Sequence, residues 1–173
     1  MTIRAILTYP NPFLRQKATP VETFDKELTQ LVNDMAETMY DAPGIGLAAT
    51  QIGDRRQIIV VDISKGKAEK AFMPLINPEI ISSEGHQVDE EGCLSLPELT
   101  SNVKRFKKIV VAYRDITGEK GEITAEERFA VVLQHEIDHL HGILFIDHLS
   151  PLKRQLYKKK VKKMHLSEER VSG

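Results

Sequence analysis

The spacing of apolar and polar positions divides the chain into strongly patterned stretches separated by others with no period. Residues 25–40 carry Leu28, Leu31, Val32, Met35, Ala36 and Met39 at the three-and-four spacing of a helix that buries one face. Asp25 stands where an N-cap belongs. Met35 and Met39 fall on that stripe and read as core filling. Residues 57–63 are β-branched and apolar, which predicts a buried strand. Shorter strands are expected at 75–77 and 79–83, parted by Pro78, and at 107–115 and 121–125 around a turn at 115–119. Residues 64–70 read as a polar loop, and 90–97 as a tight element without a period.

A second helix is expected to open on Thr124-Ala125-Glu126-Glu127, which has the S/T-x-x-E form of a capping box, and to end at Gly142. Its stretch Phe129 to Leu133 is apolar nearly all round, so this helix should be buried. Ile143 to Ile146 reads as a short strand or turn. Ser150-Pro151, an N-cap followed by proline, opens a last helix with a loose stripe of Leu152, Leu156, Val161 and Met164, fraying after Ser167. The first 24 residues hold Pro10, Pro12 and Pro20 and read as an extended arm with one short turn. Strands and helices do not alternate regularly. The expected class is α+β: short mixed or antiparallel strands packed around a buried central helix, with a C-terminal helix, in a single domain over residues 1–173.

Composition narrows the class of function more than the fold. The 173 residues are 41% hydrophobic and 28% charged, as expected of a globular protein that buries a core. A formal net charge of -1 argues against a general nucleic-acid or membrane-surface role for the whole molecule. No apolar run is long enough for a membrane span, and the start lacks the pattern of a signal peptide. A lone cysteine, Cys93, excludes an intramolecular disulfide, so a cytoplasmic location is expected.

The central helix carries the chemistry. His135 and His139 are one turn apart, so both imidazoles leave the same face and can share a metal ion. Glu136 lies between them, placed to act as a general base without being a ligand. The competing reading is a polar helix face with ordinary surface histidines. A protein metal site needs a third ligand. The metzincin continuation of this motif would put a histidine at position 145, which is Phe145. A thermolysin-like site would need a glutamate further on, where the only carboxylates are Asp147, Glu168 and Glu169. Cys93 is the upstream candidate: a thiolate suits iron or zinc, although a lone cysteine is more often a small buried apolar residue.

Three stretches stand in order along the chain: Gly44-Ile45-Gly46-Leu47-Ala48-Ala49-Thr50-Gln51, Glu91-Gly92-Cys93-Leu94-Ser95 and Gln134-His135-Glu136-Ile137-Asp138-His139-Leu140-His141-Gly142. In sequence and spacing they resemble the three motifs of the peptide deformylases, and the resemblance covers nearly the whole chain. The ending resembles that of the bacterial class that closes on a helix. What the resemblance implies is removal of the formyl group from the N-terminal formylmethionine of new polypeptides, with release of formate. It implies Cys93, His135 and His139 as metal ligands, with Glu136 as general base and then acid. Gln51 and the backbone N–H of Leu94 would stabilise the oxyanion. Ile45, Gly46 and Gly92 would pair with the substrate main chain as an added strand. The implied ion is Fe2+, which Zn2+, Ni2+ or Co2+ can replace. A Glu91–Arg105 ion pair is implied in support of the Cys93 loop, and some of the methionine pocket's wall is expected near Val132. One departure concerns Thr100, where some relatives carry a basic residue; it bears on how the distal substrate is held.

Other polar residues carry less. His86, His141, His148 and His165 need no role, and Asp138 is either a partner of a neighbouring group or a solvated carboxylate. Lys153, Arg154, Lys158, Lys159, Lys160, Lys162 and Lys163 give the last helix seven basic residues. They read either as a solvated face or, following the resemblance, as a ribosome contact at the point where nascent chains emerge. Two other classes compete with a deformylase: a peptidase that cuts internal bonds, and a catalytically silent nascent-chain binder. Phe145 disfavours the first; intact Cys93, Glu136 and Gln51 disfavour the second.

Overall fold

A computed structural model describes residues 2–64 and 71–172. It contains five strands, β1 (Gly46–Ala48), β2 (Ile58–Val61), β3 (Met73–Cys93), β4 (Leu96–Arg114) and β5 (Lys120–Glu126). It also contains three helices, α1 (Lys26–Asp41), α2 (Glu127–Leu140) and α3 (Pro151–Ser172), and short 3-10 turns before α1, after β1 and between α2 and α3. The strands form one sheet in sequence order, β1-β2-β3-β4-β5, with every neighbouring pair antiparallel. The class is α+β, as expected, without the mixed pairing that was also allowed for. The only parallel pairing among the described residues is an isolated bridge between Thr19 and Arg56.

The uninterrupted apolar run of β2 has a plain cause: helices cover both faces of the sheet there. Ile58 and Val60 pack with Leu28, Leu31, Met35 and Met39 of α1. Ile59 and Val61 pack on the other side with Ala130, Leu133 and Ile137 of α2. Asp25 caps α1, accepting a hydrogen bond from the Leu28 N–H at 3.0 Å. A third apolar cluster joins Leu14 of the N-terminal arm, Leu96 and Val103 of β4, Phe145, and Tyr157 and Val161 of α3.

Several sequence expectations need correction. The strands expected at 75–77 and 79–83 are one strand, and Pro78 sits in a register shift between Ile76 and Glu79 where no ladder donor is required. Residues 84–106, of which only 90–97 carried an expectation, as a tight element without a period, extend β3 and β4 into a long hairpin. Much of it is solvated, with Ser82, Glu84, His86 and Val88 all exposed, so no alternation marks it. Thr124 does not cap α2: β5 runs on to Glu126 and passes directly into the helix. The stripe on α3 is set by Tyr157, Val161 and Met164, while Leu152 and Leu156 are exposed. The helix is bounded by Pro151 and Ser172. The polar loop expected at 64–70 lies, apart from Ser64, outside the described residues. No helix among the described residues is long and apolar enough to cross a membrane.

Candidate active site

Helix α2 lies across the sheet and is fastened to β4 by Gln134. Its amide accepts from the Phe106 N–H at 2.9 Å and donates to the Phe106 carbonyl at 2.9 Å. This fixes the rotation of the next turn, so His135, Glu136 and His139 are all buried. The end of α2 is equally constrained: Gly142 has φ of 74°, and a Cβ there would run into the Arg15 carbonyl. Cys93 arrives from the end of β3, at the tight reversal Cys93-Leu94-Ser95-Leu96 into β4. Gln51 comes from the 3-10 turn Ala49–Ile52 that follows β1.

These elements bring Cys93, His135 and His139 together, with one ligand atom of each lying within 4.8 Å of the others. The Cys93 Sγ is 3.4 Å from the His139 Nε2. Zinc-like bonds of about 2.3 Å to sulfur and 2.1 Å to nitrogen, at a tetrahedral angle, would separate the two atoms by about 3.6 Å. One thiolate and two imidazoles are a donor set for iron, zinc and similar ions. His135 points its Nδ1 at the Glu91 Oε1, 2.8 Å away, which secures the proton there and leaves Nε2 as the donor. Burial acts against a charge on His135, but the Cys93 sulfur and the Glu91 carboxylate hold its pKa well above the ordinary value. Burial, with the His135 and Arg105 charges beside it, keeps His139 well below, as a neutral ligand requires. The residues fit a divalent metal.

Glu136 faces the same space. Its Oε1 is buried with no hydrogen-bond partner among the described residues. Burial, reinforced by the Glu91 charge, pushes its pKa up to about 7, with His135 pulling the other way. A carboxyl poised there exchanges a proton readily near neutral pH. Gly46 supports it closely, since a Cβ on Gly46 would come within 2.5 Å of the Glu136 Oε2.

Gln51 is buried and oriented at both ends. Its Oε1 accepts from the Ala48 N–H at 2.9 Å, so the NH2 group turns toward the cysteine loop, 3.0 Å from the Ser95 Oγ and 3.7 Å from the Cys93 Sγ. A cleft of about 550 Å³ opens beside these groups. Ile45, Gly46, Gln51, Gly92, Leu94, His135 and Glu136 line it, as does Val132 from the apolar part of α2. Of the residues expected to bind metal, act on the formyl group or pair with substrate, all but His139 line this cleft, and His139 adjoins the Cys93 sulfur. Thr100 also lines it, opposite Gly92 across the hairpin.

The Glu91–Arg105 pair is present and buried, with contacts of 2.8 and 2.9 Å. Burial raises the Glu91 carboxyl, but Arg105 and His135 outweigh it and hold the pKa down at about 2. Sequence reasoning missed Ser95, Gln134 and Arg128. Ser95 is buried against Gln51, and Arg128 lines the cleft while pairing with Asp89 at 3.0 Å. Neither shows a spacing that would mark it, because each depends on a partner distant in sequence. Arg128 does share a helix face with Val131, Val132 and His135, which was the available signal.

Comparison with known proteins agrees with this geometry. The family model for polypeptide deformylase matches residues 3–155. The chain is similar to the peptide deformylase of Desulfotalea psychrophila, with 59% identity over 96% of this chain and 99% of the relative. That of Syntrophobacter fumaroxidans is 52% identical, over 94% of this chain and 96% of the relative. Among solved structures, the Legionella pneumophila peptide deformylase superposes with a TM-score of 0.89 at 48% identity, covering 98% of this chain and 99% of that one.

Proposed function

The chain belongs to the polypeptide deformylase family, and from that premise we propose how its cleft carries out the reaction. As a member it is a metal-dependent hydrolase that removes the N-formyl group from nascent polypeptides. Cys93, His135 and His139 hold the metal, and their convergence to within 4.8 Å is the observation that carries this assignment. A divalent ion bound there supplies Lewis acidity, which makes water a better nucleophile and the formyl carbonyl a better electrophile. Fe2+ is the ion proposed, with Zn2+, Ni2+ or Co2+ as replacements, because a thiolate with two imidazoles accepts all four.

The remaining steps belong to side chains of the protein. Glu136 takes a proton from the attacking water as the new C–O bond forms. As the formyl carbon becomes tetrahedral, the Gln51 Nε2–H and the Leu94 backbone N–H stabilise the charge growing on its oxygen. Fixed donors of this kind are worth about 3 kcal/mol each. Glu136 then returns the proton to the nitrogen as the C–N bond breaks, so the products are formate and a free amino terminus. Ile45, Gly46 and Gly92 pair with the substrate main chain, which lets one cleft serve many sequences. Val132 contributes to the wall that receives the methionine side chain. The work is done by one catalytic domain spanning residues 1–173, in the cytoplasm. The exposed lysines of α3 give it a ribosome contact.

Substitution separates the roles. Glu136→Ala is expected to retain bound metal but lose formate release from formyl-Met-Ala by at least about a hundredfold, the lower end of what general acid–base catalysis contributes. Cys93→Ala and His139→Ala are expected to lose the metal as well as the activity. A Glu136→Ala protein with undiminished formate release removes the proposed mechanism.

A further inference from the structure

A chain of polar and charged side chains runs from the molecular surface to His135. It starts at His148, whose side chain is 37% exposed in the turn Phe145–His148. The His148 Nε2 lies 2.9 Å from the Asp138 Oδ2, and the same oxygen accepts from the Arg105 Nη1 at 2.6 Å. Arg105 grips Glu91 with Nε and Nη2, and Glu91 meets the His135 Nδ1 at 2.8 Å. The Arg105 and Glu91 side chains are only 4% and 3% exposed, so the middle of the chain is shielded from water. The Arg105 Nη1 also stands 3.3 Å from the His148 Nε2. The shorter contact, to a carboxylate, fixes the sense of the bond: Nε2 carries a hydrogen and donates it to Asp138.

We infer that His148 is a positioning residue for the metal centre, acting through Asp138, Arg105 and Glu91 on His135. The inference rests on reading Cys93, His135 and His139 as metal ligands. A carboxylate on the far nitrogen of a ligating histidine orients the ring and raises its donor strength. Glu91 does this only while both of its oxygens are held by the planar Arg105 fork. That fork keeps its orientation because its third nitrogen, Nη1, is tied to Asp138. Asp138 is the weak point: its side chain is 21% exposed, so water can compete for it. The His148 donor holds the Asp138 Oδ2 in place from the solvent side. Its loss frees Asp138, loosens Nη1 and lets the Glu91–His135 contact relax.

Zinc affinity, measured by competition with a chromophoric chelator, tests this on the wild type, Cys93→Ala, His148→Phe and His148→Gln. Phenylalanine keeps a ring but has no donor, whereas glutamine places an N–H at about the reach of the imidazole Nε2. His148→Phe is expected to weaken zinc binding about threefold to tenfold, below the ~10–100-fold typical when a group touching a ligand is removed. His148→Gln is expected to recover most of the loss. The visible absorption of the cobalt-substituted protein should shift in His148→Phe and return in His148→Gln. Unchanged zinc affinity in His148→Phe overturns the inference, as does equal weakening in both variants, which would mark a packing effect. Cys93→Ala distinguishes the two levels. If it binds zinc as the wild type does, the metal assignment itself fails; if it loses zinc while His148→Phe does not, only the positioning role fails.

Discussion

At the scale of single residues, the site depends on what is left out as much as on what is present. Gly46 has no side chain, and the space a Cβ would fill is occupied by the Glu136 carboxylate, with its carbons at 3.0 Å and Oε2 at 2.5 Å. Gly46→Ala should therefore displace the Glu136 carboxylate with little effect elsewhere, because β1 pairs through its backbone. Its formate release is expected to fall by about a hundredfold, as on losing a general base, with metal content unchanged. Steady-state kinetics beside metal analysis would check this; a fully active Gly46→Ala enzyme would show that Glu136 does not need its present position. Burial in an apolar wall raises the Glu136 pKa to about 7, whereas charged partners hold Glu91 down at about 2. Two carboxyls on either side of His135 are thus separated into one that exchanges protons and one that stays ionised.

At the scale of elements, the N-terminal arm binds the motifs together. The Leu7 N–H donates to the Gln51 carbonyl at 2.7 Å, the Tyr9 N–H to the Ser95 carbonyl at 2.8 Å, and the Ala18 N–H to the Leu140 carbonyl at 2.8 Å. Arg15 adds an ion pair with Asp147 at 2.5 Å. Burial alone would raise the Asp147 carboxyl, but the Arg15 hydrogen bonds, the Leu144 N–H and nearby positive charge hold it below its ordinary value of 3.8. A lowered carboxyl pKa stabilises the fold fully above the unfolded value and loses that contribution as pH falls through the folded one. Asp147→Asn should cost about 0.5–1 kcal/mol at pH 7, given the partial exposure of the pair. Urea unfolding of metal-stripped protein should show that difference shrinking below pH 3.8; a difference that grows on acidification would contradict the assignment. Little of this was legible in the sequence. Proline marked the arm as extended, but backbone hydrogen bonds between distant segments leave no pattern. α1 and β2 were legible because each buries apolar residues at its own period. The β3–β4 hairpin was not, because residues 81–90 of β3 are mostly exposed and Pro78 suggested a break where the structure has a bulge. The His135, Glu136 and His139 group was legible from one turn of helix; Cys93 and Gln51 needed the resemblance to join them to it.

At the scale of the whole molecule, α3 is fastened by one face and leaves its charges on the other. Tyr157 and Val161 are buried, and Tyr157 donates to the Pro97 carbonyl at 2.9 Å. Lys160 reaches back to the Glu98 carbonyl at 3.2 Å, but Lys158, Lys159, Lys162 and Lys163 stand exposed. Replacing these last four by glutamine leaves the packed face intact. If α3 meets ribosomal phosphates, the slope of log affinity against log salt should fall in magnitude by about 3, read from co-sedimentation across a salt series. An unchanged slope would remove α3 from that role. Incubating oxygen-free protein with formyl-Met-Ala and, separately, with Met-Ala separates a deformylase from a peptidase. A deformylase yields one formate for each free amino group from the first substrate and leaves the Met–Ala bond intact in both. Free alanine without formate would make the protein a peptidase and overturn its assignment as a deformylase.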